Sequence, residues 1–360
     1  MSDLLQRALH SHVPYSRPST PIAHEHQIGF VGLGAMGYMM ARNLANDREV
    51  GSVPILVWNR SVSKSEALQK ELGEGKIRIA QNVEQIAREC DVIITNLAND
   101  AVVKEIYQKF SDALKSSQPT GKKTFVETST IYPSLAGELD RLITSNPKLH
   151  LITCPVFGTP AVAEMGQLLI VMSGDYLAKK EIAHLFVPAV GRKVIDLGGN
   201  LEKAPTFKLI GNSMILGTLE VLAESLTLAE KSGIGSLPVL ELVKDLLPAP
   251  AIVACADQIA HDKFDGSVGF AIDGGIKDAA HIRHLTAEHN SPMPVIDIAH
   301  QHLITARAIH AKQAAQGKEN FKTLDWSGLV AGPRVAAGLD AFDSQKHANV
   351  VRPEKIDDDE

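Results

Sequence analysis

A glycine pattern near the start constrains this chain more than any other feature. Gly32-Leu33-Gly34-Ala35-Met36-Gly37 reads G-x-G-x-x-G, preceded by an apolar run at residues 27–31 and followed by a helical pattern at residues 35–45. In that setting the first glycine permits the tight turn, the second lets the backbone come close to a pyrophosphate, and the third lets helix and strand pack. The N–H groups and dipole at the start of the helix would face the phosphates. The pattern predicts a strand, turn and helix that hold a dinucleotide through Gly32, Leu33, Gly34, Ala35, Met36 and Gly37.

Short β-rich runs then alternate with helical segments, which favours a doubly wound, mostly parallel sheet. The strand candidates are residues 55–59, 77–80, 92–97, 124–127, 149–155, 168–173 and 193–197. Helices are expected at 61–72, at 83–89 behind a capping Asn82, and at 178–190. Beyond Gly198-Gly199 strands all but disappear. Residues 206–231 are helix-forming and apolar on nearly all faces, with Phe207, Ile210, Met214, Leu219, Leu222, Leu226 and Ala229 among them, so this helix should be buried. Further helices follow at 237–247, 252–261, 275–288 and 295–316. The resulting organisation is a disordered lead-in (1–25), an α/β Rossmann domain (26–199), an all-α substrate and dimerisation domain (200–330) and a C-terminal extension (331–360) ending in a solvated tail.

Composition narrows the class. A chain of 360 residues with 44% hydrophobic content can fill two cores. Its uninterrupted apolar runs, such as residues 168–172, are far short of the roughly 20 needed to cross a bilayer, so no membrane span is expected. A net charge of −6 without a Lys/Arg stripe argues against a nucleic-acid surface. Cys90, Cys154 and Cys255 are odd in number, far apart and without metal-ligand spacing, which fits buried thiols in a reducing compartment. The first 25 residues have a faint transit-peptide character, but Pro14, Pro18 and Pro21 would break an amphipathic helix. A cytoplasmic location is preferred, with the mitochondrial matrix as the alternative.

Five places carry candidate chemistry. At the end of the second strand, Asn59-Arg60-Ser61 stands where an acid would accept bonds from the adenosine ribose of NAD. Without that acid, and with Arg60 and Ser61 as donors to a 2′-phosphate, NADP is favoured and NAD remains possible. Leu97 and Ala98, where the strand candidate 92–97 ends, are further cofactor candidates. After the next strand, Glu127-Thr128-Ser129-Thr130-Ile131-Tyr132-Pro133 offers hydroxyls and N–H groups to the nicotinamide or to a substrate carboxylate, or serves only as a helix cap. In Cys154-Pro155-Val156-Phe157-Gly158-Thr159-Pro160, Gly158 would let a small anion approach and Thr159 would supply a hydroxyl; a plain Pro/Gly turn is the alternative. Lys208 and Asn212 share one helical face, with Gly211 beside them. A lysine near a cofactor cation would have a lowered pKa and could hand a proton to a carbonyl oxygen while hydride arrives at carbon, or it could snorkel from the helix end. His281, His284 and His289 lack an open-site metal signature, so no metal is expected.

Taken in order, Gly29 to Gly37, Asn59-Arg60-Ser61, Thr128-Ser129-Thr130 with Pro133, Pro155 with Gly158, and Lys208 with Asn212 resemble the β-hydroxyacid dehydrogenase family. That family belongs to the 6-phosphogluconate dehydrogenase NAD(P)-binding superfamily and takes in 3-hydroxyisobutyrate dehydrogenases and related semialdehyde and glyoxylate reductases. The resemblance covers about residues 27–316. It implies that Lys208 is the catalytic acid/base, that Asn212 orients the substrate, and that Thr130 contacts the cofactor. Residues 270–282, with Lys277-Asp278, resemble the family segment in which a lysine approaches the nicotinamide end. Ser129, Phe157, Gly158 and Thr159 would line the substrate site.

The chain departs from the family where Ser-Gly-Gly is often found, since Phe157-Gly158-Thr159 replaces a serine that helps hold the substrate carboxylate. Phe157 would narrow the pocket or favour a more hydrophobic substrate. Imine reductases share the architecture but usually carry Asp or Tyr in place of Lys208. The implied function is an NADP-preferring oxidoreductase acting on a small β-hydroxyacid or its semialdehyde or keto acid. The alternatives are an imine reductase-like enzyme and a non-catalytic NADP-binding scaffold. The apolar helix 206–231 also implies a homodimer.

Overall fold

Strand β1 (Ile28–Val31) has every side chain buried, the mark of a parallel strand covered on both faces. A computed structural model describes residues 12–16, 26–49 and 51–347. In it β1 lies between β2 (Ile55–Trp58) and β4 (Val92–Thr95), both parallel to it. With β3 (Ile77–Ile79), β5 (Lys123–Glu127) and β6 (Leu149–Thr153) the parallel order is β3-β2-β1-β4-β5-β6, that of a dinucleotide-binding sheet. Helices α1 (Ala35–Asp47), α2 (Val62–Leu72), α3 (Val83–Glu89), α4 (Asp100–Ser116) and α5 (Pro133–Ile143) make the crossovers. Phe30, Met40, Leu44, Ile94 and Val126 belong to one core, and Val31, Ile86, Tyr107, Phe110 and Phe125 to a second. Asn82 caps α3 as expected, accepting the Gln85 N–H at 2.8 Å.

Past β6 the sheet reverses. The expected strand 149–155 splits at Cys154-Pro155, because a proline has no N–H to give to a ladder. Its second part is β7 (Val156–Phe157), followed by α6 (Pro160–Glu164), β8 (Leu168–Gly174), α7 (Tyr176–Phe186) and β9 (Gly191–Asp196). Strand β8 runs antiparallel to β6 and β7, and β9 parallel to β8. Helix α7 stops at Phe186, short of the expected 190, because Pro188 ends it.

The expectation of a disordered lead-in does not hold for His12 to Ser16. His12 N–H donates to the Arg192 carbonyl at 2.8 Å, and Val194 N–H donates to that of His12 at 2.9 Å. Tyr15 is buried and meets Tyr176 edge-on at 5.7 Å between centroids. The rest of the segment 1–25 and the expected tail 353–360 lie outside the described residues.

By compactness the chain divides into Met1–Leu209 and Ile210–Glu360, a division that falls inside the long helix α8 (Lys203–Lys231). The second unit holds α9 (Ser236–Leu246), α10 (Pro250–Ala260), α11 (Ile272–Glu288), α12 (Pro294–Ala315), a 3-10 turn (Trp326–Val330) and α13 (Ala331–Ala336). Residues 331–347 are part of this unit and not an extension. Arg334 is fully buried, with ion pairs to Asp262 at 2.7 Å and Glu230 at 3.1 Å.

Helix α8 buries Leu219, Leu222, Leu226 and Ala229 as expected. Among the described residues its remaining face is uncovered: Ile210 is 46% exposed, Met214 69%, Val221 55% and Leu228 68%. By length and composition α8 could cross a bilayer, with mean hydropathy 1.2 over 18 residues, a property the search for uninterrupted apolar runs missed. Of that window 56% is buried inside the protein, as in a core helix.

Candidate active site

The glycine turn is shaped for close backbone approach. Gly32 has φ +99°, and a Cβ there would lie 2.2 Å from the Asn96 carbonyl oxygen; a Cβ at Gly37 would lie 2.0 Å from that of Gly32. At Gly34, by contrast, nothing lies within 4 Å of where a Cβ would be. Helix α1 starts there with no acid in its first turn and no side-chain cap, so its initial N–H groups suit an anion. The open space and uncapped helix start fit a pyrophosphate.

Asn59 has a different job from the one the sequence suggested. Its Oδ1 accepts the Leu33 N–H at 2.9 Å and its Nδ2 donates to the Ser61 carbonyl at 3.0 Å, making it a strut that sets the glycine turn against the end of β2. Arg60 and Ser61 are exposed beside it, and the Ser61 hydroxyl makes no capping bond to α2.

The loops after β4 and β5 are cross-tied. Ser129 is buried and its Oγ accepts the Leu97 N–H at 2.7 Å; Asn96 Nδ2 donates to Thr128 Oγ1 at 3.0 Å, and Thr128 Oγ1 donates to the Thr95 carbonyl at 2.6 Å. Thr130 and Leu97 are half-buried and Ala98 is exposed. Beneath these ties lies Glu127, fully buried. One of its oxygens accepts the Ser129 N–H and the other the Thr95 hydroxyl, both at 2.7 Å. Burial pushes its carboxyl up to about 6, against the opposing pull of hydrogen bonds from Ser129, Thr95 and Tyr107. Keeping it ionised costs about 2 kcal/mol relative to an exposed glutamate. Sequence reasoning passed over Glu127 for its hydroxyl neighbours; the available signal was a lone carboxylate ending an otherwise buried strand.

Phe157 and Lys208 come together. Thr153 on β6 pairs with Ser173, whereas Phe157 on β7 pairs with Leu169, so the hairpin runs past the C-terminal end of β6. That is the side on which open parallel sheets bind ligands. Lys208 Nζ sits 4.3 Å from the centroid of the Phe157 ring, and Phe207 meets the same ring edge-on at 6.2 Å. In the neighbouring turn a Cβ at Gly158, where φ is +142°, would lie 2.5 Å from Leu168 Cδ2 and 2.9 Å from Val162 Cγ1, so the turn requires a glycine there. The Thr159 hydroxyl caps α6, accepting the Val162 N–H at 3.4 Å.

In the helical unit Asn212 donates to buried Asp278 at 2.7 Å, and Lys277 pairs with the other oxygen of that carboxylate at 3.0 Å. Asp278 thus joins Asn212 and Lys277, and because a carboxylate only accepts, it fixes which way round the Asn212 amide sits. Among the described residues no three His, Cys, Asp or Glu side chains converge as a metal site would need.

This fold and glycine turn define a class, the NAD(P)-dependent oxidoreductases with a Rossmann domain and a helical second domain. More particularly, residues 27–199 match the NAD binding domain of 6-phosphogluconate dehydrogenase. The chain is similar to the NADH-dependent oxidoreductase ucdB of Aspergillus ustus, 27% identical over 74% of this chain and 88% of that one. It is also similar to glyoxylate/succinic semialdehyde reductase 1 of Arabidopsis thaliana, 28% identical over 60% of this chain and 71% of the other. Among solved structures, 3-hydroxyisobutyrate dehydrogenase of Mycobacterium tuberculosis shares the fold, with a TM-score of 0.68 at 20% identity over 86% of this chain and all of that one.

Proposed function

We propose that this protein is an NADP-preferring oxidoreductase that interconverts a small β-hydroxyacid and its semialdehyde or keto acid, with Lys208 as general acid and base. The observation that carries this reading is the ammonium of Lys208 over the Phe157 ring, on the ligand-binding side of the sheet that also bears the glycine turn. The nicotinamide, when bound, supplies or takes the hydride. In reduction Lys208 Nζ gives a proton to the carbonyl oxygen, and in oxidation the neutral amine takes it from the hydroxyl. The Phe157 face attracts the ammonium and restricts the places it can occupy. Asn212 lies one helical turn on and orients the substrate, its amide fixed by Asp278. The substrate carboxylate falls to the turns that carry Ser129, Thr130 and Gly158. Arg60, with no acid beside it at the end of β2, supports the preference for NADP.

The test is Lys208→Met, assayed by NADPH oxidation with glyoxylate, succinic semialdehyde, methylmalonate semialdehyde and cyclic imines. Turnover should fall by about 10²–10⁴-fold, the usual worth of a positioned acid, with NADPH affinity nearly unchanged. Undiminished turnover in the variant would remove Lys208 from the mechanism. A wild type that oxidises NADPH only with imines would move the protein to imine reduction, and tight NADPH binding without oxidation of any compound would make it a scaffold.

A further inference from the structure

Glu127 has no part in the proton transfer given to Lys208, yet two strand-end loops converge on its carboxylate. Its partners form a continuous chain. Thr95 and Ser129 donate to its two oxygens, and Ser129 Oγ in turn receives the Leu97 N–H. The residue before Leu97 leads on to the glycine turn: Asn96 N–H donates to the Val31 carbonyl at 2.9 Å, and the Asn96 carbonyl lies against Gly32 so closely that no Cβ would fit between them. A shift of the Ser129 loop is therefore passed through Leu97 and Asn96 to the turn that meets the pyrophosphate.

We propose that Glu127 is a positioning residue for the dinucleotide: its ionised carboxylate holds Ser129, Ser129 holds the main chain at Leu97, and the two loops are thereby kept in the arrangement that receives the cofactor. This rests on the glycine turn being the cofactor site. The ionic form matters because a bond from an N–H to a carboxylate is about twice as strong as one to a neutral carbonyl. Protonation leaves the Ser129 N–H donating to a neutral and therefore weaker acceptor, while the Thr95 hydroxyl can turn to accommodate the new hydrogen.

The surroundings supply no counter-charge that would confuse the reading. Thr95 faces Glu127 from β4, Tyr107 from α4, and Thr153 stands opposite on β6 with Cys154 next to it. The Tyr107 phenol and the Cys154 thiol are both pushed up by burial and stay neutral. The Glu127 carboxyl itself, raised to about 6 chiefly by burial, changes charge within an accessible range.

Glu127→Gln imitates the protonated state, since its amide oxygen can still accept the Ser129 N–H as a neutral group. The experiment is calorimetric titration of full-length wild type and variant with NADP from pH 7.5 to 5.5, with hydrogen exchange at the Leu97 and Ser129 amides. At pH 7.5 the variant should bind about fivefold more weakly and exchange both amides faster. The wild type should weaken toward the variant as pH falls, so that the two curves meet near pH 5.5. The 2′-phosphate of NADP titrates in the same range but does so for both proteins, so the difference between the curves reports Glu127. NAD, which lacks that phosphate, is the second probe and should show the same difference.

Parallel curves, or equal affinity at pH 7.5, would overturn the role of Glu127. If Glu127→Gln melts far below the wild type, Thr95→Val takes its place. Removing one donor should move the wild-type step to higher pH, and an unmoved step would overturn the proposal. A wild type that binds neither NADP nor NAD would instead refute the cofactor site on which the proposal stands.

Discussion

At Arg60 the proposed preference for NADP rests on one exposed guanidinium. Arg60→Ala should raise the KM for NADPH by about 10–100-fold, the worth of a charge-assisted contact to a phosphate, and leave that for NADH almost unchanged. Equal effects on both cofactors would show that Arg60 does not select between them. Glu127 has an opposite bearing on stability. Its folded value of about 6 lies above the ordinary carboxylate range, so its contribution to stability is complete below about pH 4.5 and is lost as pH rises through 6. The fold gives up this stability at the pH where the loops are best tied. Single residues differed in how legible they were. Gly32, Gly37 and Lys208 could be read from local spacing because their reasons are local: a turn, a helix contact, a charge on an apolar helix. Asn59, Ser129 and Glu127 could not, because their partners come from strands some 30 residues away.

Elements were more legible than single residues, because buried parallel strands are apolar runs of the right length and their crossovers carry helix signals. The doubly wound, mostly parallel sheet followed from the glycine turn and the alternation of strands and helices behind it. The reversal past β6 did not, since nothing in Cys154-Pro155 says which way the chain goes next. The compact units part ten residues beyond the boundary read at Gly198-Gly199, because the start of α8 groups with the sheet-bearing unit up to Leu209. The same helix carries a prediction. Ile210, Met214, Val221 and Leu228 form one exposed apolar stripe at helical spacing, which suits the symmetric face of a dimer. Light scattering should give a dimer for the wild type, and Met214→Glu with Leu228→Glu should shift it to monomer. A monomeric wild type would refute this use of α8.

At the scale of the molecule, residues 12–16 and 331–347, near the two ends of the chain, are built into its units. Arg334 is closed in with Glu230 and Asp262, while Asp262 also receives the Ser344 N–H and hydroxyl at 2.8 and 2.7 Å. Arg334→Met would leave two carboxylates without their cation and should lower the stability of the helical unit by about 3 kcal/mol in urea unfolding. A loss below about 1 kcal/mol would show that the network contributes little. This was not legible in the sequence, where residues 331–347 have the look of an appendage and only their partners far back in the chain reveal otherwise. The other end has a practical consequence. Among the described residues His12 is the one that pairs with the outer side of strand β9, with Tyr15 set into the unit nearby. A fragment cut to begin at residue 27 would keep every side chain of the proposed site but bare the Arg192 carbonyl, the Val194 N–H and the apolar surface that Tyr15 covers, a start for pairing with another chain. Such a fragment should self-associate more readily while remaining chemically complete.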